Sequence, residues 1–267
     1  MATRSTNRED FQTVPRPIGA MAKDFPDGFF IPPHAHPRSQ LIHASSGVMR
    51  ISTPQGAFVV PPHRAVWVPA NIVHDVRMAG AVAMRTLYIL PDAISALPKE
   101  CCVVAVSPLL RELILRATTL PLLYDEEGTD GRVMALILDE LRVLPVLPLN
   151  LPMPRDPRLA RICRAMLDDP ADTSTLSHWG KRIGASSRTL ARDFQRETGL
   201  TFGRWRQQAR LLEALSRLAQ GQSVTTIALD LGYDSPSAFT SMFRRALGRT
   251  PSSYFSDGRV APARRRR

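Results

Sequence analysis

The period of the apolar positions changes along the chain, and the changes mark out its elements. Between residues 29 and 106 apolar residues fall in short, β-branched runs at 40–43, 48–53, 57–60, 65–68 and 82–90, separated by Pro, Gly and Asn. Runs of this length between turn residues predict the strands of a sandwich or small barrel. From residue 108 the period becomes helical. Leu109, Leu110, Leu113, Ile114 and Ala117 form one i, i+3, i+4 stripe, and Val133, Leu136, Ile137, Glu140, Leu141 and Leu144 form a second that is apolar except for Glu140. Packing on the barrel and sealing a dimer account for these stripes equally well.

Five prolines then crowd into thirteen residues: Pro145, Pro148, Pro152, Pro154 and Pro157. Each removes a backbone donor and holds its predecessor out of the helical region, so this stretch reads as a stiff linker and excludes a helix or a central strand. Beyond it the pattern is helical to the end. Segments 158–167, 175–183 and 187–198 are amphipathic, the last capped by Ser186 after Gly184 and Ala185, and 201–219 predicts a long helix ended by Gly221. Ser223 then opens a helix running to Leu231, Gly232, Tyr233 and Asp234 make a turn, and Ser235 caps a helix that reaches Leu247 before Gly248. The economical description is two helix-turn-helix units in one small domain.

Such a unit needs a turn residue that tolerates left-handed dihedrals, a small residue where its helices cross, and an apolar inner stripe under a polar outer face. Gly184 and Gly232 supply the turns, Ala228 a crossing, and the pairs Leu190 with Phe194 and Phe239 with Phe243 the inner stripes. The outer faces carry Arg188, Arg192 and Arg196 in the first unit and Ser237, Thr240, Ser241 and Arg244 in the second. Arginines every four residues make a basic edge suited to phosphate and to the guanine O6/N7 edge.

Charge strengthens this picture. Residues 1–154 carry 14 basic against 14 acidic residues, and residues 155–267 carry 21 against 10, so all of the net +11 lies in the helical part. A neutral half joined to a basic half predicts that one part meets a polyanion and the other does something else. Arg264 to Arg267 form a basic tail. The chain's 267 residues suffice for about two domains. No apolar run long enough to span a membrane and no signal-peptide core is present, and the three cysteines, Cys101, Cys102 and Cys163, form neither a disulfide framework nor a metal pair. A cytoplasmic, reduced location is expected, with no membrane partner.

The run from Ile227 to Tyr254, with Gly232, Tyr233, Ser235, Phe239, Phe243, Gly248 and Pro251, resembles the signature of the AraC/XylS family of bacterial transcription regulators. Ser186 to Phe194, then Gly199 and Thr201, resembles the first unit of the same domain, so that about a hundred residues are covered. One departure is Phe255, where the family usually has an arginine. The resemblance implies a seven-helix domain in which the long helix holds two reading heads on successive major grooves of one DNA face. It implies contacts from Ser187, Arg188 and Arg192 in the first head and from Ser235, Ser237, Thr240, Ser241 and Arg244 in the second. It implies that Trp205 belongs to the core, and it favours a dimer for the helical pair.

In the neutral half, Gly28, His34, His36, Gln40 and Gly47 are spaced G-x5-H-x-H-x3-Q-x6-G, followed by Pro69, Asn71 and His74. The first string resembles the first cupin motif, with Gln40 where metal-binding cupins have Glu. The second resembles a degraded second motif, with Asn71 replacing a Gly and Met78 an Asn. His34 and His36 alternate by two and face one side of a strand, and a barrel brings Gln40 and His74 to that inward face. Three imidazoles and a side-chain oxygen are a credible set for a divalent transition metal such as Fe, Mn, Ni or Zn. Because a neutral amide contributes less than a carboxylate, the preferred expectation is an organic-effector pocket with no required cofactor. His43 and His63 are expected at the surface. Trp67, Tyr88 and Phe58 either line the pocket or fill the barrel.

The reading is an α+β, two-domain chain. Residues 1–107 form a cupin-like effector-sensing barrel with an N-terminal arm, 108–144 a helical pair for dimerisation, 145–157 the linker, 158–256 the all-α double helix-turn-helix domain and 257–267 the tail. The expected function is a sequence-specific regulator of transcription and not an enzyme. Its expected partners are operator DNA, a small-molecule effector, a second copy of the chain and, for an activator, RNA polymerase. A metal-dependent cupin enzyme fused to a DNA-binding domain is the alternative, and the missing carboxylate at Gln40 counts against it. A nucleoid-type binder is disfavoured by the polar residues Ser237, Thr240 and Ser241.

Overall fold

The computed structural model describes residues 5–62, 64–93, 98–141 and 149–255. The N-terminal half is a bent antiparallel sheet of eight strands: β1 (Ile18–Phe25), β2 (Phe30–His34), β3 (Ser39–Thr53), β4 (Gly56–Val60), β5 (Arg64–Val68), β6 (His74–Ile89), β7 (Cys102–Ala105) and β8 (Asn150–Pro152). Its spine is the antiparallel pair β3 and β6, in register from Ser39 opposite Ile89 to Ser52 opposite Asp75. Two irregularities around residues 44–48 break that register. Such bulges bend long strands, and the bend lets β6 pair with β1 along one stretch and with β2 along another. β5 and β4 pair with β3 on its other edge, β7 pairs with β5 and β8 with β4.

Four of the five expected strand runs lie within β3, β4 and β5, and the fifth, 82–90, lies within β6 but for Leu90. The strands β1, β2, β7 and β8 carried no comparable signal. β2 and β8 contain prolines and pair as short segments, the places where a missing N–H is tolerated. The linker therefore needs a correction: its described part is not a free spacer, because residues 150–152 add a strand to the sheet. Pro145 and Pro148 lie outside the described residues, and Pro157 opens the first helix of the next domain behind Asp156.

Helices α1 (Pro108–Ala117) and α2 (Thr129–Glu140) follow the sheet. Leu110, Ile114, Ala117, Met134, Ile137 and Leu141 are buried in one cluster with Leu41, Trp67, Leu87 and Val104 of the sheet. Packing on the sheet thus claims part of each stripe, while Leu109 and Leu136 stay exposed at 49% and 40%. Glu140 interrupts its stripe for a local reason: its carboxylate accepts from Ser107 Oγ at 3.0 Å, the residue that caps α1.

Among the described residues the C-terminal domain has the seven helices α3 (Pro157–Asp168), α4 (Leu176–Ile183), α5 (Ser187–Thr198), α6 (Phe202–Ala219), α7 (Val224–Asp230), α8 (Pro236–Leu247) and α9 (Pro251–Tyr254). Thr175, Ser186, Thr201, Ser223 and Ser235 each accept a backbone N–H at a helix start, as capping residues do. Gly184 and Gly232 adopt φ of 70° and 72° at the two turns. Ala228 is fully buried, and Gly180 holds the corresponding position in the first unit, where an added Cβ would lie 2.4 Å from the Ala185 carbonyl oxygen.

Helix α6 joins the halves. It contacts β3, β4, β6 and β8, Trp205 Nε1 donates to Pro152 O at 2.7 Å, and Gln208 Nε2 donates to Asn150 O. Gly80 of β6 lies so close to the end of α6 that an added Cβ would stand 2.7 Å from Ala219 O. Phe255 and Tyr254 line a cavity of about 370 Å³ beside Leu218, Ala219 and the bend of β3, so the residue that departs from the family pattern faces the sheet domain. Because Trp205 is fully buried and hydrogen-bonded, Trp205→Ala is expected to cost about 3–5 kcal/mol, read as an earlier urea midpoint by far-UV circular dichroism.

Candidate effector pocket and nucleic-acid interface

Three histidines from separate places in the sheet domain meet beside a cavity that one of them, His34, lines. His34 ends β2, His36 follows it, and His74 begins β6 opposite His34 in the ladder. One ring nitrogen from each lies within 4.8 Å of the others. The His34 and His74 rings stand 4.3 Å apart, and the His36 ring meets that of Tyr88 edge-on at 5.3 Å. Gln40 completes the group: its Oε1 lies 3.1 Å from both His36 Nε2 and His74 Nε2, while its Nε2 donates to Thr86 Oγ1 at 2.9 Å. The four residues singled out by motif spacing are thus brought together.

Backbone geometry sets this convergence. Asn71 takes a φ of 62°, the left-handed conformation that the usual glycine of this motif would supply, and its N–H donates to His36 O at 2.8 Å. Each imidazole is also aimed from behind. The Nδ1 atoms of His34, His36 and His74 lie 2.8, 2.6 and 2.9 Å from the carbonyl oxygens of Pro32, Arg38 and Ile72. Burial lowers the His34 imidazole below its ordinary value and takes His74 down to about 4. His43 does not meet the surface expectation. It is 1% exposed, with Nδ1 3.0 Å from Arg64 O, because β3 lies between β5 and β6 and both its faces are covered. His63 lies outside the described residues.

The cavity encloses about 520 Å³ and is lined by His34, Gln40, Tyr88, Met21, Phe25 and Met84 among others. Of the three aromatic residues left open by sequence, Tyr88 lines this cavity, and burial raises its phenol pKa. Phe58 and Trp67 are buried in the two hydrophobic clusters. The N-terminal arm supplies a further wall through Arg8 and Glu9, paired at 3.0 Å. Phe11 stacks on Tyr88 at 5.5 Å, and buried Arg38 donates to the carbonyls of Gln12, Val14 and Arg16. Lys23, Phe29 and Arg38 escaped the sequence reading because they belong to no motif and come together only through strand pairing and the arm's return.

On the basic half, Ser187, Arg188, Arg192 and Arg196 are exposed along α5, and Ser237, Ser241 and Arg244 are exposed along α8. Ser235 and Thr240 are half-buried, and the Ser235 hydroxyl accepts from Ala238 N at 3.2 Å as the cap of α8. The arginines differ in freedom. Arg196 is held by Asp193 at 2.8 Å, whereas Arg192 reaches the same carboxylate only at 3.5 Å with 73% of its side chain exposed. Among the described residues, Arg188 and Arg244 form no ion pair. The tail arginines lie outside the described residues.

Comparison with known proteins adds an independent line. The family described as "AraC-like ligand binding domain" matches residues 20–191, and that described as "Helix-turn-helix domain" matches 179–257. The chain is 36% identical over 225 residues to the HTH-type transcriptional regulator NimR of Escherichia coli, covering 84% of this chain and 82% of that protein. It is 33% identical over 138 residues to the HTH-type transcriptional regulator RipA of Corynebacterium glutamicum, covering 52% and 39%. Among solved structures, fatty-acid-bound ToxT from Vibrio cholerae aligns over 89% of this chain and 94% of that one, with 10% identity and a TM-score of 0.38.

The geometry of α5 gives a test. Arg192→Ala is expected to cost about 1–3 kcal/mol on a specific duplex and to relax preference at one base position. Arg196→Ala is expected to cost less, because Asp193 already holds that guanidinium. Titration against specific and random duplexes separates the cases: an equal loss on both assigns Arg192 to phosphate.

Proposed function

The chain belongs to the AraC family of transcriptional regulators, with a ligand-binding N-terminal domain and a helix-turn-helix DNA-binding domain, and on that premise we propose that occupancy of the sheet cavity controls how α5 and α8 engage an operator. The observation that carries this reading is a turn shared by the cavity wall and α6. Phe25 and Phe29 line the cavity and Asp27 lies between them. The Asp27 carboxylate accepts from Gly80 N at 2.8 Å and from Gln220 Nε2 at 3.2 Å, immediately beyond the end of α6. A ligand shifts a regulator only by its differential affinity for two arrangements, so a molecule wedged beside Phe25 and Phe29 must be felt at that contact if it is to act on DNA.

The cavity's lining supports as effector a small organic molecule with an apolar body against Met21, Phe25 and Met84 and a polar end toward His34 and Gln40. Its size falls within the range of ordinary small-molecule sites. The reading assigns binding and not turnover to this site, since Gln40 stands where enzymatic cupins carry a carboxylate. In the basic half, Ser187, Arg188 and Arg192, with Arg196 at the edge, form one reading head. Ser237, Ser241 and Arg244 form the other, with Ser235 and Thr240 setting its approach.

The second copy of the chain docks on the outer face of α1, α2 and the segment between them, where Leu109, Leu136 and Leu123 are exposed at 49%, 40% and 63%. RNA polymerase is the further partner for an activator. Among the described residues no helix is long and apolar enough to cross a membrane, in keeping with a regulator that works on DNA in the cytoplasm. Leu136→Glu places a charge in the proposed seam, whereas Ile137, fully buried against the sheet, would report only on stability. Sedimentation is expected to show wild-type dimers and Leu136→Glu monomers at micromolar concentration. Wild type that stays monomeric even with its operator would remove the dimer.

Effector control is tested by operator titration with compounds selected from a small-molecule library by thermal shift. His36→Ala is expected to abolish the response while basal DNA affinity stays within about a factor of ten. Asp27→Ala is expected to keep effector binding and lose the response. A normal response in both variants would take the cavity out of the mechanism.

A further inference from the structure

The hydrogen-bond inventory at the cavity floor does not balance with protein groups alone. A carbonyl oxygen can only accept, so the contacts of His34, His36 and His74 with Pro32 O, Arg38 O and Ile72 O put the proton on Nδ1 of each neutral ring. Each Nε2 is then a bare lone pair. Two of these lone pairs point at Gln40 Oε1 from 3.1 Å, so that acceptors meet with no proton between them. Turning the Gln40 amide would offer two N–H groups to His36 and His74, but its oxygen would then face Thr86 Oγ1, whose single proton is donated to Leu41 O at 2.9 Å. A primary amide has two hydrogens, however, and there are three lone pairs. The third, on His34, whose ring stands 4.3 Å from that of His74, would still lack a donor from the protein.

The geometry points to a divalent transition-metal ion held by Nε2 of His34, His36 and His74, with Gln40 Oε1 as a weaker fourth donor. One cation satisfies all three imidazoles and the amide oxygen in the orientation seen. The second layer fits the same assignment, because histidine ligands of metals characteristically donate their other N–H to a carbonyl or carboxylate, which fixes the ring and raises its basicity. Bonds of about 2.1 Å at tetrahedral angles hold ligand atoms about 3.4 Å apart, so nitrogens as much as 4.8 Å apart close by up to about 1.4 Å around an ion, and half-exposed His34 has room to move. All-nitrogen donors with one neutral oxygen favour Zn, Ni, Co or Cu over Mg or Ca. Glu9 of the arm, which lines the same cavity, is the acidic residue nearest in kind to a charge-balancing partner.

This revises the preference drawn from the sequence, where the amide at Gln40 weighed against a metal; what weighs more is the direction of the three ring protons. The inference deepens the effector reading: the metal faces the cavity beside His34 and Gln40, so an effector with an oxygen or nitrogen donor would be gripped through the ion. Loading is measured without DNA, so a failure of metal binding leaves the regulator reading intact, and a failure of effector control leaves the metal measurement intact.

The test is titration of untagged, chelator-stripped full-length protein with Co(II) and Zn(II), followed by absorption in the visible region, calorimetry and elemental analysis. One equivalent is expected, with ligand-field bands for Co(II). His34→Ala, at a half-exposed position that the fold does not require, is expected to weaken binding at least tenfold, and His36→Ala with His74→Ala to abolish it. Gln40→Glu separates the two arrangements. With a metal it adds an anionic ligand and should tighten binding at least tenfold. With a turned amide it replaces two donors by acceptors and should lower the melting temperature whether or not metal is added. Absence of Co(II) bands at millimolar metal, or equal binding by wild type and His34→Ala, would overturn the assignment.

Discussion

Burial of α6 is the constraint on which the arrangement of the molecule depends. This single helix of 18 residues buries Phe202, Trp205, Ala209, Leu211, Leu212, Ala214 and Leu215, and it touches both the sheet and the helices on either side. A fully buried side chain of this size contributes about 1.5–3 kcal/mol, so the helix cannot leave one partner without exposing a large apolar face. The spacing of the two helix-turn-helix units and the docking of their domain on the sheet are therefore set by the same side chains. Gly80 and Asp27 of the sheet domain meet the end of this helix at Ala219 and Gln220.

The cavity shows a different economy. Apolar residues form most of its wall, while the polar groups at its floor are few and each is tied from behind to backbone or to a neighbouring hydroxyl. That rigidity is what makes the direction of each imidazole meaningful: a ring whose Nδ1 proton is committed has a single nitrogen left to offer. The arm adds a second feature. Arg38 is buried and holds three carbonyls of the returning N-terminal segment, while its own carbonyl accepts from His36. The arm that walls the cavity and His36 are thus attached to one residue.

Much of the C-terminal domain was legible in the sequence because its information is local. Capping serines, left-handed glycines and i, i+4 apolar pairs act within one or two turns of helix, and Ser186, Gly184, Ser223 and Gly232 act where their positions implied. The strong strand runs were legible for the same reason, since burial on both faces demands continuous apolar residues. β1, β2, β7 and β8 were not, because their stability comes from pairing with β6, β5 and β4, and pairing leaves little trace in a strand's own composition. His43 was misplaced at the surface for a related reason: parity along one strand says nothing about what covers its other face.

The sequence by itself determined the class of molecule and the places of the two turns, because capping and turn residues act within a single element, and motif spacing singled out His34, His36, Gln40 and His74, which strand pairing then brought together. Only the tertiary structure decided which arginine of α5 is held in a close ion pair, that part of the proline-rich stretch is a strand, that Ile137 is core while Leu136 is exposed, and which nitrogen of each histidine is committed to a carbonyl. These depend on neighbours far away in the chain: Asp193 beside Arg196, β4 beside residues 150–152, the sheet beneath α2 and the carbonyls behind the imidazoles. A hydrogen bond or an ion pair selects among orientations that the residue alone leaves equal in energy, and that selection exists only once the partners have been brought together.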